Sequence, residues 1–348
     1  MLLASRSVQL PDDDAVQQHF RECGWTDGLP VVAPTPARVE AMLAWAGFPP
    51  EHVIGVEAVK SRPLTAEKVA VNAVLAGCLP PDFGVVAAAV EALCRPELLV
   101  HGATASTGGC AILLVVNGPV RRQLQMSSAC SALAGPDRAT VCIGRAVRLV
   151  LRNLLDARPG ELDRSTLGHP GKLSWCLAED EEGGAPWLPL GVERDVPADV
   201  SSVTAFAASG PRQIMNEWTT DPSELATTLV AEIKATMLHY SIWPGNYAVV
   251  IPPQLRAVFH RAGWSKADLR QFVYDNAVVR RADWERVGKA AVVNHRNRED
   301  EHRALPSPDH LLVISAGGEA GGFAAVIPPW LGPKSAAVTT AIGACIDC

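Results

Sequence analysis

Three short apolar runs constrain this chain most: Ala111–Val116, Tyr247–Ile251 and Leu311–Ser315, the last closing on its single polar residue. Each has the length of one strand, and each is bounded by glycine, proline or asparagine, the residues that end strands. A run with no polar alternation suits a strand buried on both faces, which requires cover on each side of its sheet. That cover is present in the sequence as helical segments. Thr35-Pro36 supplies an N-cap followed by proline at the first helical position, and Asp12-Asp13-Asp14 opens an amphipathic stretch to Arg21. Trp25-Thr26-Asp27-Gly28-Leu29-Pro30 reads as a rigid turn between these two helices. Further helices are predicted from Thr65 to about Gly77, Gly84 to Cys94, Arg138 to Leu155, Asp221 to about Met237, Pro253 to Ala262 and onward from the capping box at Ser265.

Leu173–Leu177, Ser202–Ala207 and Phe323–Ile327 read as additional strands. Interleaved strands and helices predict an α/β protein with mixed or parallel sheets flanked by helices. Two subdomains are expected, residues 1–200 with the Thr/Ser/Gly loop before Cys110 and residues 201–348 with a glycine-rich loop and the Cys345-Ile346-Asp347-Cys348 pair. No repeat of fixed period is evident. The halves echo each other only in a strand that ends at a Pro or Gly turn before an Arg-bearing helix.

A formal net charge of −6 gives no basis for binding a polyanion, so nucleic acid is not an expected partner. No apolar run approaches a membrane span, and Met1–Asp14 does not have the pattern of an export signal. A cytoplasmic protein is expected. Nine cysteines is an odd number and argues against a complete disulfide framework, so free thiols are predicted.

Those thiols supply the candidate chemistry. Cys345 and Cys348 stand in a C-x-x-C spacing that suits a reducible disulfide or half of a zinc site. Cys110 follows Thr107-Gly108-Gly109, whose backbone amides are placed to stabilise a thiolate or an oxyanion. Cys176 lies four residues after Lys172, in a loop that also holds His169; a nearby cation favours the thiolate. Cys78, Cys94 and Cys142 fall in apolar helical patterns and read as core. Gly317, Gly318, Gly321 and Gly322 after a buried strand offer close backbone approach to a ligand, and Arg121 and Arg145 offer guanidinium clamps for a carboxylate or phosphate.

Several segments together resemble the UGSC-like bacterial proteins. They are Trp25–Val32, Glu67–Cys78, Val116-Asn117-Gly118-Pro119, Ile143–Ala146, Ser165–Lys172 and Glu193-Arg194. The resemblance implies thiol or selenol redox chemistry. It has two departures: the family's segment matching Thr104–Cys110 carries a histidine where this chain has Gly108-Gly109, and the Cys-Gly-Ser-Cys motif is absent, leaving Cys345–Cys348 as the comparable pair.

The leading expectation is a cysteine-dependent enzyme acting on a small molecule, with Cys110 or Cys176 as the attacking thiolate, Lys172 and His169 beside it, and the Cys345–Cys348 pair resolving it. A homodimer or a partner redox protein is expected alongside the substrate. One alternative is a lyase or hydrolase whose cysteines and His169 ligate a metal such as zinc. The other is a ligand-binding subunit that serves a second polypeptide.

Overall fold

The computed structural model describes residues 2–240, 242–289, 300–330 and 334–343. It opens with helices α1 (Asp13–Glu22) and α2 (Pro36–Ala46), the hairpin β1 (Val53–Glu57) and β2 (Arg62–Thr65), and helices α3 (Ala66–Ala76), α4 (Phe83–Cys94) and α5 (Val100–Ala105). Strand β3 (Ala111–Asn117) is followed by α6 (Val120–Gln123), α7 (Arg138–Leu154), β4 (Cys176–Ala178), α8 (Glu181–Gly184), α9 (Leu190–Glu193), β5 (Ser202–Ala208) and β6 (Arg212–Met215). The remainder comprises α10 (Pro222–His239), β7 (Tyr247–Ile251), α11 (Pro253–Arg261), α12 (Lys266–Asn276), β8 (Val278–Arg280), α13 (Arg281–Arg286), β9 (Glu301–Arg303), β10 (Leu311–Ser315), β11 (Phe323–Ile327) and β12 (Val338–Ala341).

The caps anticipated from sequence are formed. Asp12 accepts from Ala15 N, Thr35 from Arg38 N, Asp221 from Ser223 N and Glu224 N, and Ser265 closes a capping box with Asp268. Each satisfies amide donors that a helix start leaves unpaired.

Two four-stranded mixed sheets form the centre, in the orders β12-β5-β3-β4 and β10-β7-β11-β6. Strand alternation explains how they stack. In β3, Ile112, Leu114 and Val116 face a core shared with α3, α4 and α7, whereas Ala111, Leu113 and Val115 face a second core. In β7, Tyr247, Val249 and Ile251 face α10, α11 and α12, whereas Ala248 and Val250 join that same second core. The sheets therefore pack face to face, with helices on both outer sides. This four-layer α/β arrangement explains why the runs have no polar alternation: both faces of each central strand are covered.

The layer between the sheets mixes alanines, among them Ala111, Ala208, Ala248, Ala316 and Ala325, with branched aliphatics and the larger Phe206 and Trp175. The outer cores hold most of the leucine and valine.

The boundary expected at residue 200 does not separate the sheets. Strand β5 begins at Ser202 and pairs antiparallel with β3 along its length, from Asn117 opposite Ser202 to Ala111 opposite Ala208. Residues 338–341 then complete the same sheet by pairing with β5. Sequence misses this because an apolar strand specifies its burial but not its neighbour.

The pairing also exposes an internal duplication that residue identity hides. In the first sheet β3 and β4 are parallel, β5 is antiparallel to β3, and β12 is antiparallel to β5. In the second, β7 and β10 are parallel, β11 is antiparallel to β7, and β6 is antiparallel to β11. The fourth strand of each sheet follows the third strand of the other, so the chain crosses between sheets at β5–β6 and again at β11–β12. The crossings are tied together by Ser209 N to Pro328 O (2.9 Å) and Trp330 N to Ala207 O (2.9 Å).

Among the described residues, no helix is long and apolar enough to cross a membrane.

Candidate functional site

Loops at the N-terminal end of β3 bring together several residues singled out from sequence. Cys110 and Lys172 line one cavity of about 20 Å³, with Arg148 and Thr104 on its wall. This is room for about one water. Gly109 is required where it stands. Its φ is +73°, and a Cβ there would lie 2.7 Å from the backbone N of Gly168. The loop pair is therefore closed by backbone against backbone, and Thr166 N donates to Thr107 O at 3.1 Å.

The polar groups around the cavity are committed to one another. Lys172 Nζ donates to Asp163 Oδ2 and to Ser165 Oγ, both at 2.6 Å, and Arg148 Nη2 reaches Asp163 Oδ2 at 3.2 Å. Burial alone would raise the Asp163 carboxyl, but the Lys172 ammonium and the Ser165 donors outweigh it and hold the group at about 2. A carboxyl whose folded pKa lies below its unfolded value contributes stability above the unfolded value and loses it as pH falls through the folded one. Acidification from pH 4 to 2 is therefore expected to remove stability on the order of 2 kcal/mol through this group. Denaturant unfolding of Asp163→Asn across that interval checks it, since the variant lacks this part of the pH dependence.

His169 is held as a neutral loop clip. Its Nδ1 accepts from Gly171 N at 3.2 Å, and Nε2 then donates to Ala208 O at 3.3 Å, so both ring nitrogens are occupied by backbone. Burial lowers its pKa, with the Ala208 carbonyl opposing. Such a ring fixes the loop and leaves no lone pair for a metal or a substrate proton.

The two cysteines proposed as attacking thiolates are both buried. Cys110 donates its thiol to Ala103 O at 3.2 Å, and burial pushes its pKa up to about 12 against the weaker pull of Lys172. Cys176 opens β4 with its side chain in the helix-covered core, and burial raises its pKa further still. Removing a thiolate from water this completely favours the protonated form. The lysine four residues earlier does not rescue it, because Lys172 is spent on Asp163. Cys345 and Cys348 lie outside the described residues.

The arginines proposed as clamps have intramolecular partners. Arg145 makes a two-pronged contact with Asp27, Nε to Oδ2 and Nη2 to Oδ1 at 2.8 Å each, and reaches Pro30 O at 2.9 Å. It thus pins the Trp25–Pro30 turn onto α7. Burial would raise the Asp27 carboxyl, yet Arg145 holds it below its ordinary value. Arg121 is buried and donates to Glu181 Oε2 at 2.7 Å and to Glu179 O at 2.6 Å. Both guanidiniums carry fold geometry where ligand binding was expected.

The glycine-rich loop beyond β10 is where chemistry remains open. Gly317 sits at φ +120° and donates to Ser128 O at 2.7 Å, while the amides of Gly321 and Gly322 donate to Gln254 Oε1 at 2.8 and 3.2 Å. The last two bonds tie the loop to α11, and the first ties it to the segment before α7. There lies Cys130, the one exposed cysteine among the described residues. A Cβ on Gly318 would stand 2.9 Å from Cys130 Sγ, so the loop closes on the sulfur because position 318 has no side chain. The opposite side is anchored by Asp137, which accepts from Ser127 N at 2.8 Å and caps α7 through Thr140 N at 2.9 Å.

The site occupies the carboxyl end of the parallel pair β7 and β10, the end at which open α/β sheets characteristically keep their ligands. Sequence reasoning found the glycines and missed the cysteine. The available signal was Ser127-Ser128-Ala129-Cys130-Ser131-Ala132, a run of small residues with no helical or strand period, where a cysteine has no core to join.

No group of three or more His, Cys, Asp or Glu among the described residues is arranged to hold a metal ion. Of the ligands expected for zinc that lie among the described residues, His169 is bound to backbone at both nitrogens, Cys110 donates to a carbonyl and Cys176 faces the core. No family profile matches the chain, and no curated protein matches it.

Proposed function

We propose that the protein is a cysteine-dependent enzyme acting on small-molecule disulfides, with Cys130 as the attacking thiol. Its sulfur, as thiolate, attacks one sulfur of the substrate; a mixed disulfide forms, the substrate S–S bond breaks, and the other half leaves as a thiolate that takes up a proton. A second thiol then attacks the mixed disulfide at Cys130 Sγ, releasing the first half reduced, and the new protein disulfide carries the oxidation. Cys345 and Cys348 are the chain's pair with the spacing for that role.

The observation that carries the reading is the exposure of Cys130 against the Gly317–Gly318 backbone, while Cys110 and Cys176 are sealed. The proposal carries with it the thiol chemistry that the UGSC-like resemblance implies and a cytoplasmic location, where small-molecule thiols reduce the protein disulfide between turnovers.

Incubation of the full reduced chain with cystine or oxidised glutathione, followed by peptide mapping, tests it. Cys130 is expected to carry the first mixed disulfide, and Cys130→Ser to slow consumption of either probe at least about 100-fold, while Cys110→Ser changes it less than about threefold. Loss of consumption in Cys110→Ser with retention in Cys130→Ser overturns the reading.

A further inference from the structure

A second concavity, lined by none of Cys110, Cys130 and Cys176, lies between α2, α4 and the end of β12. Its volume is about 710 Å³, within the range of small-molecule pockets. The floor is the face of α4 that presents Gly84, Ala87 and Ala88, positions three and four apart on one side of the helix. Small side chains there keep the helix surface low. One wall is aromatic: Phe48 and His52 stack with centroids 4.6 Å apart and planes only 6° from parallel, and Trp45 stands half exposed nearby.

The charge on the lining is one-sided. Glu91 contributes a carboxylate, and among the described residues no lysine or arginine lines the space. The partner of Glu91 is Arg95, at 2.7 Å across one helical turn, with 57% and 38% of the two side chains exposed for Arg95 and Glu91 respectively. An exposed pair of this kind contributes little stability, so a ligand cation competes with it readily. A ligand anion would find no lysine or arginine among the described lining residues.

We infer that this pocket binds a planar aromatic amine, its ring against the Phe48–His52 pair and its ammonium directed to Glu91. The match is one of shape and charge: a flat apolar ring suits the low alanine floor and the stacked wall, and aromatic faces also favour a nearby cation. The inference is independent of the thiol reading, since no residue is shared with the Cys130 site.

Isothermal titration of the full chain with tryptamine and with indole-3-acetate, which share a ring and differ in the sign of their charge, tests the inference. Tryptamine is expected to bind saturably and at least tenfold more tightly than indole-3-acetate. Glu91→Gln, at an exposed position that the fold tolerates, is expected to abolish that preference, and Ala88→Leu to weaken tryptamine at least tenfold by raising the floor. If Ala88→Leu fails to fold, Glu91→Gln alone decides. No saturable binding of tryptamine, equal affinity for both probes, or a preference unchanged in Glu91→Gln overturns the inference. Tryptamine binding that emerges only after residues 344–348 are removed also overturns it, because the pocket would then belong to that segment.

Discussion

Replacing Glu179 with alanine is expected to lower the unfolding free energy by about 3–5 kcal/mol, the cost of breaking a buried ion pair by removing one partner. Glu179 follows β4 and is 1% exposed, facing Lys266 at 3%. Its carboxylate accepts from Lys266 Nζ at 3.1 Å, Asn117 Nδ2 at 2.7 Å, Leu190 N at 2.6 Å and Ser315 N at 3.2 Å. These donors come from the first sheet, the segment joining the halves, the outer helix α12 and the second sheet. One carboxylate therefore fastens the carboxyl ends of both parallel strand pairs, and alanine leaves the buried Leu190 and Ser315 amides without an acceptor, while Asn117 keeps Glu181 and Lys266 keeps only the more distant Glu193. Glu193→Ala removes a more exposed partner of the same lysine and is expected to cost less, because Lys266 keeps Glu179. Urea unfolding of the two variants checks the order. A Glu179→Ala protein within 1 kcal/mol of wild type would mean that water reaches this junction.

The second large effect is expected between the sheets. Phe206 in β5 is 1% exposed and points into the layer between the sheets, among alanines, branched aliphatics and Trp175. Phe206→Ala is expected to cost about 3–5 kcal/mol, because the transfer energy of the ring is lost and strands paired on both sides cannot collapse into the cavity. Its chain neighbours Ala205 and Ala207 face the helix-covered core instead. Ala205→Gly is thus the matched control on the other face, expected to cost about 1 kcal/mol. Denaturant unfolding measures both, and a Phe206→Ala cost below that of the control would contradict face-to-face packing of the two sheets.

Much of this architecture is legible in the residues. The central strands announce themselves as apolar runs, and the helix starts as Ser, Thr and Asp caps, because burial and capping are local requirements. Pairing is not local. Arg212–Met215 and Val338–Ala341 escape notice because each is a short edge strand paired with a strand distant in sequence, β11 for the first and β5 for the second. The duplication is hidden for the same reason: it resides in strand order and direction, which residue identity does not encode.

At the candidate site the same division holds. Thiols and glycines are visible as residue types, but their exposure is not. Lys172 reads as an activating cation until Asp163, nine residues away, takes its ammonium. Arg145 reads as a ligand clamp until Asp27, 118 residues away, takes its guanidinium. Cys130 gains significance only when β10 delivers Gly318 against its sulfur. Each case depends on a contact that spacing along the chain does not predict.

The measurement that tests the central claim most directly is iodoacetamide labelling of the native full chain, with each cysteine followed by peptide mass mapping before and after denaturation. Cys130 is expected to be modified in the native protein at a rate close to that of an unfolded thiol, while Cys110 and Cys176 react only once the chain is unfolded. Native labelling of Cys110 as fast as Cys130, or protection of Cys130 until unfolding, would contradict the assignment of Cys130 as the working thiol.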